Sequence, residues 1–229
     1  MKILAYDTSS DILTAALFES EHKIAEYASP SFTRHSSTLV PALQKMLSGG
    51  GFSLDEVDVL VVGLGPGSFT GLRVGITTAK IFGTVCKMKI IGVSSLEAIA
   101  WEASDFQGDI AVILDARKEK LYAGIFNFKK GILRTVQKPK IVKIEALLKG
   151  IKTPRLFLGD GVKIYRDKIL NTKYCQAADH AESLYPSVSQ LIKQSAELIK
   201  KKKFLDPLSL EPLYLYPKDC NVTVRKGKS

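Results

Sequence analysis

A run from Gly63 to Gly75, Gly-Leu-Gly-Pro-Gly-Ser-Phe-Thr-Gly-Leu-Arg-Val-Gly, carries the residue types best suited to chemistry in this chain. The apolar stretch Val57–Val62 precedes it and a helical pattern reaching about Lys87 comes after, so it reads as strand, glycine loop and helix. Pro66-Gly67 suits the centre of a type II turn, and Ser68 or Thr70 can cap the helix. Free N–H groups at a helix start attract anions, which makes phosphate the first ligand to consider. The spacing argues against it. A P-loop needs Gly-Lys-Ser/Thr after four residues, and no such run exists. The dinucleotide fingerprint fails as well, because Gly71 comes one residue late and no acid ends the next strand, Lys89–Val93. Ser68 lacks the Gly-x-Ser-x-Gly setting of a hydrolase nucleophile, and there is no His-Glu-x-x-His. Three histidines and three scattered cysteines show no metal-ligand spacing.

The helix after the loop carries a second signal. Gly71, Gly75, Ala79 and Gly83 lie four apart and form one small-residue stripe. Glycine within a helix costs roughly 1 kcal/mol relative to alanine, so another backbone is expected very close by. The stripe by itself favours packing inside the protein over contact with a partner chain.

These residues need a frame to hold them. Ile3–Tyr6 forms a strand ending at Asp7, Thr8–Asp11 a polar turn, Leu13–Phe18 a returning strand and Lys23–Ala28 a third. Ser36 or Ser37 opens a helix through Leu39, Val40, Leu43, Met46 and Leu47, ended by Gly49-Gly50-Gly51. Ser94 or Ser95 opens another, to about Ala103. The initial pattern then returns: Ile110–Leu114 ends at Asp115, a polar turn comes next, and Leu121–Phe126 runs back. A strand–Asp–turn–strand element present twice implies two similar lobes. The second continues with a helix near 144–148, a strand at Arg155–Leu158, the turn Gly159-Asp160-Gly161 and a helix from Val162. A long helix spans about Val188–Lys203, and prolines at 207, 212 and 217 keep the remainder extended.

The 229 residues suffice for two lobes with real cores, and no apolar run is long enough to span a bilayer. The few cysteines suit a reducing cytoplasm. Charge is unevenly placed. Residues 1–128 hold 11 Lys/Arg and 14 Asp/Glu, a net of −3, whereas residues 129–229 hold 22 and 9, a net of +13. A polyanion near the second half is one reading; cations suiting the dipole of a helix ending at Lys200–Lys203 are the other.

An α/β fold with a duplicated strand–Asp–turn–strand element resembles the actin-like ATPase superfamily, in which such turns face a nucleotide between two lobes. The resemblance implies a duplicated fold, each lobe a mixed β-sheet with flanking helices, divided here at 1–105 and 106–229, with the last segment packing back toward the first lobe. The candidate nucleotide cleft is then Asp7, Thr8, Ser9, Asp115, Gly159, Asp160 and Gly161, although Asp also caps turns readily. More specifically, Ile3–Ser9, Arg34-His35-Ser36-Ser37, Gly65–Gly75, Gly92–Leu96, Asp115-Ala116-Arg117, Gly159-Asp160-Gly161 and Pro212–Leu215, in this order, resemble the TsaB (YeaZ) family. That family implies a role in making threonylcarbamoyladenosine in tRNA, next to the anticodon. Its members are paralogues of the catalytic subunit TsaD, pair with it, and are joined by the small ATPase TsaE. An older description of the superfamily is glycoprotease-like peptidase.

The departures bear on chemistry. Two metal-holding histidines of TsaD correspond to Ser95 and Ile99, and neither replaces imidazole. Asp7-Thr8-Ser9 also lacks the glycine usual in a nucleotide-cradling turn. The resemblance therefore implies a noncatalytic scaffold without metal, taking no cofactor alone and ATP or ADP only weakly or at the complex interface. It turns the stripe toward a partner, with an interface at His35, Leu39, Leu43, Gly71, Arg73, Gly75, Ala79 and Gly83. The expected partners are a TsaD-like subunit, a TsaE-like ATPase, tRNA through the complex and, for the chain alone, a second copy; no membrane is expected. The competing readings are a nucleotide-cleft ATPase and a glycoprotease-like enzyme.

Overall fold

The computed structural model describes residues 1–20, 22–30, 35–178 and 180–215. Strands β1 (Lys2–Asp7), β2 (Ile12–Glu19) and β3 (His22–Pro30) lead to helix α1 (His35–Gly49). Then come β4 (Val59–Gly63), α2 (Phe69–Val85), β5 (Lys89–Val93) and α3 (Ser95–Ala100). The second half runs β6 (Asp109–Asp115), β7 (Leu121–Lys129), β8 (Ile132–Val142), α4 (Ile144–Leu148) and β9 (Arg155–Leu158). It continues with α5 (Gly161–Leu170), β10 (Cys175–Ala177), α6 (Ala181–Leu184) and α7 (Val188–Lys200).

Two five-stranded sheets result, ordered β3-β2-β1-β4-β5 and β10-β9-β6-β7-β8. In each, three strands pair antiparallel and the rest parallel, so β1 to β5 correspond in order to β6 to β10. The repeated sequence element is thus a repeated sheet.

Alternation along the strands sorts the cores. Leu4 and Tyr6 of β1 face α1 and α2, packing with Leu39, Leu43, Ile76 and Ala79. Ile3 and Ala5 point the other way, against Val188 and Leu191 of α7. In the second sheet Ala111 and Ile113 meet α4 and α5, while Ile110 and Val112 meet Leu96, Ile99 and Ala100 of α3. Helix α3 is therefore a wedge between the sheets, since its Ala98 belongs to the first sheet's core.

Several local expectations need correction. Gly65, not Gly67, has the positive φ (+87°), and the Gly65–Pro66 bond is cis, so the loop is not a type II turn centred on Pro66-Gly67. Helix α1 already includes Ser36 and Ser37, and α7 ends at Lys200. Strands β8 and β10 are additions to the expected set. After α7 the chain crosses back to the first lobe: Leu205 bridges Ile90, Leu210 is buried and Leu213 N–H donates to Leu64 O. Pro217 and Arg34 lie outside the described residues.

Candidate functional site

The glycine loop and the Asp7 turn prove to be one structure. At the end of β1, Asp7 Oδ1 accepts from Ser9 N at 2.7 Å and from Ser9 Oγ at 2.6 Å. Its Oδ2 accepts from Ser95 Oγ at 2.6 Å, and that hydroxyl in turn accepts from Gly65 N at 3.0 Å. Ser95 opens α3, where Ser94 caps the helix by accepting from Glu97 N. Asp7, Thr8, Ser9 and Ser10 are all buried. Burial holds the Asp7 carboxyl above its usual range, and the Ser9 and Ser95 hydrogen bonds and nearby His35 offset only part of the rise.

The glycines explain how this carboxylate is walled in. A Cβ on Gly63 would overlap Asp7 Oδ2; on Gly67, the Ser9 carbonyl; on Gly71, the Thr8 carbonyl; on Gly75, Thr8 Oγ1. Only glycine lets α2 settle this deeply onto the β1–β2 turn. Hydrogen bonds seal the contact: Tyr6 OH donates to Gly75 O and Thr8 Oγ1 to Gly71 O, both at 2.8 Å, and Ser68 N donates to Ser9 O at 2.6 Å. His35, the first residue of α1, reaches Ser10 O through Nε2 at 2.9 Å. A carbonyl only accepts, so Nε2 carries a proton. Nδ1 finds no partner among the described residues.

The expected interface therefore needs correcting. Gly71, Gly75 and Gly83 are buried and Ala79 is wholly so; Gly83 abuts Ile90 and Pro207. Leu39 and Leu43 are core residues and His35 is buried. The small-residue row packs against the chain's own β1–β2 turn and returning C-terminal segment. Only Arg73 of the eight residues is exposed. Its guanidinium sits 3.9 Å from the centre of the Phe69 ring, and Phe69 lies 5.4 Å from the Tyr214 ring. The outward row of α2 is Phe69, Arg73, Thr77, Ile81 and Val85, with exposed Val40 on α1. These residues are also spaced by four. That second row is the legible signal for a surface, and the glycines beside it are the more conspicuous pattern.

The second-lobe turn is built differently. Asp115 ends β6 and accepts from Arg117 N at 2.8 Å and Arg117 Nη1 at 3.2 Å. Its own N–H donates to Asp160 Oδ1 at 2.9 Å. Gly159 (φ +94°) bends the chain here, since a Cβ would overlap the Ile113 carbonyl, and its N–H donates to Ser183 O. Gly161 then opens α5 close to Ile113 and Leu121. Burial above all, with the charges of Asp115 and Asp11, raises Asp160 to about 6, against the lowering by the Asp115 N–H and by Arg117. Asp11 belongs to the first-lobe turn, so a charge of the first lobe acts on a carboxyl of the second. Arg117, Lys118 and Glu119 all have left-handed backbones, which cost roughly 1–2 kcal/mol per residue for non-glycine types. The Arg117 side chain is 79% exposed. Sequence reading brings Asp115, Gly159, Asp160 and Gly161 together but leaves Asp11, Ser95 and Gly63 out of the candidate cleft.

Comparison with known proteins agrees with this frame. The family model described as TsaD, tRNA N6-adenosine threonylcarbamoyltransferase, matches residues 29–209. The Bacillus subtilis tRNA threonylcarbamoyladenosine biosynthesis protein TsaB is 35% identical over 94% of both chains. The Escherichia coli protein of the same name is 26% identical over 94% of both. The solved structure of YeaZ from Pseudomonas aeruginosa superposes with a TM-score of 0.80 at 23% identity, covering 93% of this chain and 99% of that one. Its likeness fixes the fold, the duplicated actin-like ATPase type. The chain belongs to the TsaB (YeaZ) family, whose members take part in tRNA threonylcarbamoyladenosine biosynthesis.

Proposed function

We propose that this chain is a noncatalytic subunit of the machinery forming threonylcarbamoyladenosine in tRNA, acting in the cytoplasm by binding and activating a TsaD-like paralogue. The observation that carries the reading is the closed Asp7 turn. Its carboxylate is spent on Ser9 and Ser95, and the adjoining glycines leave no space for a methyl group, let alone a phosphate. Ser95 and Ile99, which stand where the paralogue's metal-holding histidines are expected, do not fit a metal either. Ser95 is buried between Asp7 and Gly65, and Ile99 lies in the apolar cluster with Leu96 and Ile110.

The outward row of α2, with Val40 of α1, is the partner face in this reading. It is apolar or uncharged apart from Arg73 and carries Ile81 at 53% and Val85 at 72% exposure. The same face lets a free chain pair with itself. A TsaE-like ATPase joins the assembly, and any nucleotide contacts the open Asp115 turn at the subunit interface.

The test pairs two variants of α2. Ile81→Glu places a charge on the outward row and is expected to lower affinity for the TsaD-like partner at least tenfold by titration calorimetry, with an unchanged melting temperature. Ala79→Leu overpacks the core and is expected to lower the melting temperature instead. Normal association and normal support of tRNA modification by Ile81→Glu would sink this choice of face.

A further inference from the structure

Strands β7 and β8 form a hairpin whose sequence from Leu121 to Ile144 contains no Asp or Glu, yet holds Lys129, Lys130, Arg134, Lys138, Lys140 and Lys143. All six are exposed, and none makes an ion pair among the described residues. Here lies the core of the positive charge that separates the two halves of the chain. The lysines at the end of α7 are a weaker candidate, because Lys201 is already paired with Glu197.

The geometry arranges the charges along a line. β8 is the edge of its sheet, paired among the described residues only with β7. Arg134 lies opposite Asn127 and Lys140 opposite Ala123, four residues apart on β7, so the two cations share a face; Lys129, two residues beyond Asn127, joins them. Register shifts fall between these pairs, around Val136 and Lys138. From Arg134 to Lys140 the row extends roughly 20 Å at strand spacing, enough to track several phosphates of a nucleic-acid strand. Lysines and bulges also protect an edge strand from unwanted pairing. That role does not call for the complete lack of acids along both strands and the hairpin tip. The same bulges, with Pro139 between Lys138 and Lys140, break the flat ladder that an added peptide strand would need. The row consists of cations without an aromatic platform among them, so it offers backbone contact without base reading.

We infer that the β7–β8 hairpin is a contact surface for the phosphate backbone of tRNA, used when the chain is assembled with its catalytic partner. The inference rests on the proposed function and adds a surface to it.

The experiment measures binding of an unmodified tRNA transcript to the complex by fluorescence anisotropy between 50 and 200 mM salt. The variant Arg134→Ala/Lys138→Ala/Lys140→Ala is expected to lose at least about tenfold in affinity at the low-salt end, and its log–log salt slope to shrink by about 3, one per lost phosphate contact. Lys129→Ala/Lys130→Ala at the hairpin tip is expected to fall in the same direction, and Lys200→Ala/Lys202→Ala/Lys203→Ala to stay at the native value. In the modification assay the first variant raises KM for tRNA and leaves kcat unchanged. Native affinity and slope in both hairpin variants would overturn the surface. So would loss of binding to a polyglutamate peptide with tRNA binding intact, which would assign the hairpin to an acidic protein. A native chain that fails to support modification at all would overturn the pathway reading instead, so the two failures are distinguishable.

Discussion

The Asp7 turn and the Asp115 turn hold equivalent places in a duplicated fold, yet one is sealed and the other faces solvent. The difference originates in the connection that leaves the neighbouring parallel strand. After β4 the chain runs Gly63 to Gly75 and lowers a whole helix onto the turn, through glycines that tolerate no Cβ. After β9 it makes only the short turn Gly159-Asp160-Gly161, and a carboxylate, rather than a helix backbone, meets the Asp115 N–H. Duplication thus preserves strand order, while a helix backbone laid on the Asp7 turn and a carboxylate set against the Asp115 N–H distinguish the two turns. The sealed copy suits a rigid body that presents surfaces. The open copy keeps three left-handed residues and an exposed Arg117 at its tip.

Substitution of a sealing glycine tests this contrast most severely. Gly71→Ala drives a Cβ into the Thr8 carbonyl, which is backbone and cannot swing aside, and we expect a loss of about 4 kcal/mol in urea unfolding. Gly161→Ala meets mainly the Leu121 side chain, beside the Ile113 carbonyl at 3.0 Å, and about 1 kcal/mol is expected there. Equal costs at the two sites would remove the distinction between sealed and open turns.

A smaller effect is expected from the carboxylates themselves. Asp7→Asn keeps an acceptor oxygen for Ser9 but sets an NH2 against the Ser95 hydroxyl in a buried site, and about 2 kcal/mol of stability should go with it. Asp115 is only partly covered and its Arg117 contact is exposed, so Asp115→Asn is expected to cost under about 1 kcal/mol. Calorimetric melting of the two variants side by side reads the difference directly.

A further effect, no larger than that of Asp7→Asn, depends on pH. Asp160 is raised to about 6 by burial and by Asp115 and Asp11, above the value of about 3.9 for an unfolded carboxyl. A group raised in the folded state contributes stability that is fully present below about pH 4 and lost as pH rises through about 6. Asp160→Asn keeps the acceptor for Asp115 N–H and stays neutral. It should therefore be more stable than the native chain at pH 7, by on the order of 1–2 kcal/mol, and match it near pH 4. The opposite trend between pH 4 and 7 would show that Asp160 is not raised in the folded chain.

Much of this arrangement can be read from residues alone. The two strand–Asp–turn–strand elements and the strand–glycine–helix unit obey local rules of period and turn chemistry, and the duplicated sheet results from them. Two strands escape for physical reasons. β8 is an edge strand whose alternation is interrupted by bulges and lysines, and β10 has three residues. The faces of α2 escape for another. Gly71, Gly75, Ala79 and Gly83 form one row and Phe69, Arg73, Thr77, Ile81 and Val85 another, both spaced by four, and period alone does not say which lies inside. The β1–β2 turn decides it, because only the small row admits a backbone so close. The Ser95 link to Asp7 joins residues 88 positions apart and leaves no local mark.

The return of α7 to the first sheet has a consequence for biosynthesis. Val188 and Leu191 cover Ile3, Ala5, Val59 and Val61, and the segment after α7 bridges β5 and packs beside Gly83. In space the second lobe is an insertion within the first. A nascent chain that has released only its first hundred residues lacks α7, and of the helices only α3, through Ala98, touches that apolar face of the five-stranded sheet. That face is covered only after the entire second lobe has emerged from the ribosome, so the lobe made first is the lobe completed last.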